Sequence, residues 1–402
     1  MKAIRNIPGM KQHVYFRPIS GCIVLALLLI MLHQPAAALS PIDASIPVND
    51  AAMKLVQFCI EPKVGLDENA VATFVDFVLS SKQSKEYALP KSMESTGTYY
   101  EFDTKIAFSR FLEYSYGPLI PSAITRPSSL RYSVWAHPQG ENQKPPDNWK
   151  MVPPAGAPVV IHGIQRESDT PDLNTGVYHE YELKRTLILL NYKGRQVLVS
   201  ISKQIGQSNV GKKGAILGND NDWSYYYSGE PGSSITGFGW AKSYIYNFFS
   251  IGVYAESNTA PTMVKAGVFQ WLRAGWSGIN FVKSHHILNG MKRFARDCRM
   301  VLESPRLPPP NQMISVYHWL LNMPADDLMK KYAALWQAQR SLAVQIGKTS
   351  KSELDEQASF TNTSKEQMVG ELMLEYLKTT LGKPALLGKQ SFLLPPHVLN
   401  IN

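Results

Sequence analysis

The sequence predicts an α+β protein: a mainly antiparallel sheet flanked by an N-terminal helical hairpin, a long helix after the sheet and a C-terminal helical region. Three observations lead there. Apolar residues recur at helical spacing up to residue 80, at alternate positions from Thr98, and at helical spacing again from Pro261. Tyr178–Leu190 and Gln196–Lys203 are β-rich runs joined through a turn containing Gly194, and hairpins of this kind make a sheet antiparallel. A Pro-rich stretch, SPRLPPPN at 304–311, then separates this main part (39–303) from residues 312–402, whose patterning is helical throughout.

The first 38 residues read as a secretory signal. Lys2, Arg5, Lys11 and Arg17 precede an uncharged apolar run, Gly21 to Leu32, which is followed by Pro35 and an A-x-A site at Ala36–Ala38. The run is shorter than the about 20 residues of a membrane-spanning helix. The expectation is export, with cleavage after Ala38 and a periplasmic or extracellular mature chain; an uncleaved anchor is the alternative. Two short helices follow, 50–60 and 67–80, the second with Asp67 as N-cap. Tyr100, Phe102, Thr104, Ile106 and Phe108 alternate as in a half-buried strand, and further strands are expected at 131–136 and 158–166. The Pro- and Lys-containing stretch between those two reads as an exposed loop. After the hairpin, a last strand pair is expected within 241–255. From 261 to 303, Val264, Val268, Trp271, Leu272, Trp276, Ile279 and Phe294 suggest one long, glycine-punctuated helix or helix pair over one face of the sheet, an arrangement that commonly encloses an apolar cavity. Pro324 with Asp326 and Asp327 opens a C-terminal helix, and Thr363 with Glu366 forms a capping box for another that ends before Gly382.

Composition bounds the chemistry. Apolar residues are 44% and charged residues 18%, as in an ordinary globular protein. Removing residues 1–38 takes away four basic and no acidic side chains, so the formal charge falls from +9 to +5. That suits attraction to anionic envelope surfaces and gives no argument for nucleic acid. Cys59 and Cys298 remain; in an oxidising compartment they either form one bridge or stay as buried free thiols.

The segment Gly206–Trp240 is long, rich in Gly, Ser and Asn, and without clear period, yet it holds Trp223, Tyr225, Tyr226, Tyr227, Phe238 and Trp240. Long irregular segments in compact domains usually carry function. Gly206-x-x-x-x-Gly211-Lys212 approaches a phosphate-binding loop, but Lys213 stands where a hydroxyl would meet Mg²⁺ and no helix pattern follows. Lys212 and Lys213 are left as a weak anion site. Asn219–Asp222 offers oxygen ligands to calcium, and turn-forming Asx residues explain it more simply. His285 and His286 diverge by about 100° on a helix, and no metal or cofactor motif is present. Ala274-x-x-x-Gly278 would let the long helix pack closely, and Lys283, Lys292, Arg293, Arg296 and Arg299 would form a basic face able to touch anionic lipid or polymer.

The leading expectation is an exported, non-catalytic envelope protein that binds an apolar or amphipathic ligand, or a glycan, through Trp223, Tyr225, Tyr227, Trp240, Trp271 and Trp276. The rival is an envelope hydrolase with His179, Asp220 and Asp222 as its catalytic members. A third reading is an assembly protein that docks through its C-terminal helices. Whether the chain is an enzyme is left open.

Overall fold

A computed structural model describes residues 45–80, 84–136, 145, 149–154, 156–235, 239–257, 262–349 and 363–392. All of them belong to one compact unit, Leu39–Asn402; the expected signal segment lies outside the described residues.

The α+β class holds. The main sheet has eight strands in the order β1 (Glu86–Ser92), β2 (Ser95–Thr104), β13 (Val264–Gly275), β12 (Tyr244–Glu256), β7 (Arg195–Gln204), β6 (Glu180–Tyr192), β4 (Val159–Asp169), β3 (Leu130–Trp135). Every neighbouring pair is antiparallel. The hairpin read from the sequence is β6–β7. Its turn places Lys193 and Gly194 at φ 51° and 78°, the left-handed conformations that match the twist of the flanking strands.

Alternation along each strand splits the core in two. Leu187 and Leu189 of β6, Leu198 of β7 and Tyr254 of β12 join one buried cluster. Their neighbours Ile188, Val197, Val199, Ile251 and Val253 join another. Helices α1 (Ser45–Ile60) and α2 (Glu68–Leu79) cover the second face as the expected hairpin, and Asp67 caps α2 by accepting a 2.8 Å bond from the Ala70 amide. The first face is covered by α3 (Phe108–Tyr116), α4 (Ser284–Leu302), α5 (Pro310–Leu321), α6 (Ala325–Gln345) and α7 (Lys365–Leu381). Fully burying one Val, Leu or Ile is worth about 1.5–3 kcal/mol, so these two layers supply most of the driving force for folding.

The expected long helix over 261–303 is instead a strand and a helix. Val264, Val268 and Leu272 are four residues apart, and a spacing of four satisfies period 2 as well as period 3.6. β13 pairs along its length with both β2 and β12, so main-chain bonding decides for strand. The small residues read as a helix surface serve the strand: a Cβ on Gly267 would lie 2.3 Å from Val78 Cγ2 of α2. Residues 244–256 are one strand, β12, whose hairpin partner is β13, not a strand pair of their own. The segment 206–240 is not irregular throughout. It contains β8 (Lys212–Ile216) and β9 (Tyr225–Pro231), which form a small sheet with β5 (Val177–Tyr178), and the hairpin β10 (Ser233–Ile235) with β11 (Gly239–Ala241). The linker is shorter than expected because Pro310 opens α5. The capping box near 363 sits one residue on, at Ser364 and Gln367, where Ser364 Oγ accepts from the Gln367 amide. Among the described residues no helix is long and apolar enough to cross a membrane.

The two thiols do not pair. Cys59, near the end of α1, lies in the core with its Sγ 3.4 Å from the Lys184 carbonyl, and Cys298 lies in the core on the other face of the sheet.

Candidate functional site

The six aromatic residues expected to form a binding platform are not brought together. Trp223, Tyr225 and Tyr227 are buried in the core under α4–α7. Lys383 Nζ lies 4.0 Å from the centroid of the Trp223 ring, and the Arg131 guanidinium lies 3.9 Å from that of Tyr227. Trp271 is fully buried in the opposite core, stacked on Phe249 at 4.8 Å, with Nε1 donating to the Pro90 carbonyl. Trp276 sits in the loop between β13 and α4, stacked on Phe281 at 3.8 Å. The side chain of Trp240 lies outside the described residues.

The charged candidates are paired with one another. Arg293 Nε donates to both Asp220 oxygens at 2.9 Å, and Arg296 Nη2 donates to Oδ2 at 2.8 Å. Burial alone would push the Asp220 carboxyl up, but the two guanidinium groups outweigh it and hold it below the ordinary carboxylate value. Asn219 Oδ1 accepts from the Asn221 amide, so the NDND run is an Asx turn leading into a 3-10 turn that ends at Asp222. The basic face expected on the long helix is not free: Lys292 pairs with Glu86, Arg296 also pairs with Asp297, and Arg299 lies over the Phe102 ring. Lys212 and Lys213 are likewise engaged, with Glu180 at 3.5 Å and Glu230 at 3.8 Å. Among the described residues no group of three or more His, Cys, Asp or Glu side chains is placed to hold a metal ion.

His179 is placed differently from its expected partners. It occupies the break between β5 and β6, where the chain passes from the small sheet to the large one. Its Nδ1 lies 3.6 Å from Asp169 Oδ2, and its backbone N–H donates to the other oxygen of the same carboxylate. Burial pushes the Asp169 carboxyl up, and His179 opposes that shift. On the far side of the ring, Nε2 is buried without a hydrogen-bond partner among the described residues, and so is Ser243 Oγ. The two atoms lie 2.7 and 2.5 Å from a single point, the position a Cβ would take on Gly211. Asp169 therefore adjoins His179 on one side, and Ser243 Oγ lies near the other ring nitrogen without a hydrogen bond joining the two. Neither Asp169 nor Ser243 had a sequence signal, because the contact depends on the return of the chain at residues 170–178 and on the start of β12.

A second place stands out for its shape. Between α5 and α6 lies a cleft of about 790 Å³, walled by Trp319, Met323, Pro324, Ala334 and Leu387, with His318, Asp327, Lys330 and Lys331 among its polar lining groups. Lys331 is its most unusual member. The Nζ donates to the Ser391 carbonyl at 2.6 Å and sits 5.4 and 5.9 Å from the ring centroids of Trp319 and Phe392. Burial pushes its pKa below that of an ordinary lysine. It pairs with no carboxylate among the described residues, although Asp327 stands one helical turn earlier.

No protein-family model and no curated protein matches the chain. Among solved structures it is similar to the human StarD13 (DLC2) lipid transfer and protein localization domain, with 7% identity and a TM-score of 0.28, over 58% of this chain and 96% of that one. A likeness at that score carries no argument about function.

Proposed function

We propose that the protein binds an amphipathic molecule with an anionic head in the α5–α6 cleft, and that it does so after export. One observation carries the reading: a cleft of small-molecule size combines an apolar, partly aromatic wall with a half-buried ammonium that has no counter-ion among the described residues. The apolar body would lie against Trp319, Met323 and Leu387. The head would meet Lys331, restoring in the complex the charge compensation that burial denies the free protein. Trp223, Tyr225, Tyr227 and Trp271 of the expected aromatic platform serve the core, so this reading puts the binding surface on the C-terminal helices that the assembly reading singles out.

Native mass spectrometry of protein purified from its own host tests both parts at once. A chain starting at Leu39 supports export, and a co-purifying anionic amphiphile supports the cleft. Displacement of a fluorescent fatty acid then isolates Lys331. Lys331→Met should weaken binding about 10- to 100-fold, the worth of one hydrogen bond to a charged group. In the wild type, affinity should fall as pH rises through the Lys331 pKa, which lies below that of a free lysine, because only the ammonium form attracts the head. Equal affinity in Lys331→Met would sink the reading.

A second reading, ester hydrolysis, rests on the proximity of Asp169, His179 and Ser243, in which Ser243 Oγ would have to turn toward His179 Nε2. Asp169 beside Nδ1 favours the tautomer with its proton there, which leaves Nε2 as the acceptor. Ser243 Oγ would add to the carbonyl carbon of an ester while its proton passes to His179 Nε2. That proton would return to the departing alkoxide, and water activated by the same nitrogen would release the acid. A fluorophosphonate should then label Ser243 in the wild type and fail to label His179→Gln. If the wild-type protein carries no adduct at Ser243, the orphaned pair is a packing feature and the binding reading stands alone.

A further inference from the structure

The end of the main sheet where β1 turns into β2, and where β13 leads to α4, displays apolar side chains to solvent. Ile279 is 55% exposed, Met93 42% and Phe281 40%. These are not slack loops. The Phe281 amide donates to the Ala274 carbonyl at 3.0 Å, the Gly278 amide to Tyr246 Oη at 2.8 Å, and Arg273 Nη2 to the Gly278 carbonyl at 3.0 Å. Arg273 also pairs with Glu94 at 2.5 Å, and Asn247 Nδ2 donates to the Met93 carbonyl, so the two turns form one surface. Trp276 stacks beneath Phe281 and fixes its ring. Three large apolar groups held out in water on one hydrogen-bonded surface make it a candidate for contact with something apolar.

The charges around this surface identify the contact. Lys91 precedes the first turn, Lys283 follows the second and Lys242 leads into β12; all three are exposed and none pairs with a carboxylate among the described residues. The acidic member of the patch, Glu94, is taken by Arg273. Isolated apolar tips supported by Trp and Tyr rings and flanked by free lysines match a lipid interface, where rings settle at headgroup level and ammonium groups meet phosphates. A protein interface would want a continuous apolar centre with its lysines replaced.

We propose that this end of the sheet docks on an anionic lipid bilayer, with Met93, Ile279 and Phe281 entering the headgroup region and Lys91, Lys242 and Lys283 lying against lipid phosphates. Of the expected basic helix face, Lys283 at the start of α4 belongs to this surface, whereas Lys292, Arg293 and Arg296 are paired within the fold and Arg299 lies over the Phe102 ring. The surface is independent of the α5–α6 cleft, whereas its Lys242 immediately precedes Ser243 in the chain.

The test uses the full chain with vesicles of phosphatidylcholine, alone or mixed with phosphatidylglycerol, and reads hydrogen exchange of amides 278–282. On the mixed vesicles, exchange there should slow about tenfold. The double variant Ile279→Asp, Phe281→Asp, compared with its own exchange in solution because it also removes the Trp276 stack, should lose that protection. Lys91→Ser, Lys242→Ser and Lys283→Ser together should weaken vesicle binding through this surface on the order of a hundredfold. Attachment of the chain to vesicles through its N-terminal apolar run, with amides 278–282 exchanging as in solution, overturns the proposal. Equal protection on phosphatidylcholine alone overturns it too, as does protection that appears without vesicles and grows with protein concentration, since that marks self-association.

Discussion

Glu371→Ala should lower stability by about 3–5 kcal/mol, the cost of stranding a buried charge. Glu371 is buried on α7, and Arg131, buried on the edge strand β3, donates to its Oε1 through Nε at 2.8 Å and Nη2 at 2.6 Å. Tyr332 Oη donates to the same oxygen at 3.0 Å, and Gln339 Nε2 to the other at 3.1 Å. Removing the carboxylate leaves the guanidinium, among the described residues, with the Tyr332 hydroxyl and the faces of Tyr227 and Tyr178. Adding Arg131→Met to Glu371→Ala should recover much of the loss, because an apolar pair of similar volume pays no desolvation cost. Urea unfolding of the two single variants and the double variant measures the coupling. A loss below about 1 kcal/mol in Glu371→Ala would mean that α7 contributes little to holding β3.

The Glu371 result bears on architecture as well as on stability. The Pro-rich stretch at 304–311 suggests a C-terminal part that could be cut away, whereas Met313, Leu320, Leu335 and Leu372 belong to the same buried cluster as Phe102 and Leu198 of the sheet. Ending the chain at Pro305 would strip one layer from that core and remove the partner of Arg131.

Local signals were legible wherever they were sufficient by themselves. Asp67 before an apolar run, Gly194 in a turn and Gly382 after a helix each name an element boundary through backbone chemistry alone, and all three are where the pattern puts them. The strand β13 was not legible, because residues four apart lie on one side of a strand and on one side of a helix, and only pairing with β2 and β12 separates the two. Neither candidate site could be read directly. Lys331 looks like a solvated residue on a helix whose periodicity points to Leu328, Tyr332 and Leu335, and it gains meaning only when Trp319 and Ser391 close around it. His179 is a candidate in the sequence, but the conspicuous Asx residues near 220 are not its neighbours; the sheet supplies Asp169 and Ser243. The aromatic residues of 223–227 drew attention by their number, and number is also what a core requires.

Asp220 shows why a conspicuous carboxylate is a poor guide to catalysis. Asp220→Ala should cost about 3 kcal/mol, since it strands Arg293 in the interior and leaves Arg296 only Asp297. Asp220→Asn, which keeps acceptor oxygen but not charge, should cost less. The pH dependence follows from the depressed carboxyl. A group whose folded pKa lies below its unfolded value, about 3.9 for aspartate, contributes stability that is present above that value and is lost as pH falls through the folded pKa. Urea midpoints at pH 7 and at steps below pH 4 should therefore fall less steeply with acid in Asp220→Asn than in the wild type. If the two acid limbs run parallel, the ion pair is not what holds the Asn219–Asp222 turn against α4. Any hydrolase assay on Asp220 variants must accordingly be scaled to the folded fraction, because lost activity there would report a loosened contact between the turn and the helix. Loss of activity in Ser243→Ala at unchanged stability would report chemistry.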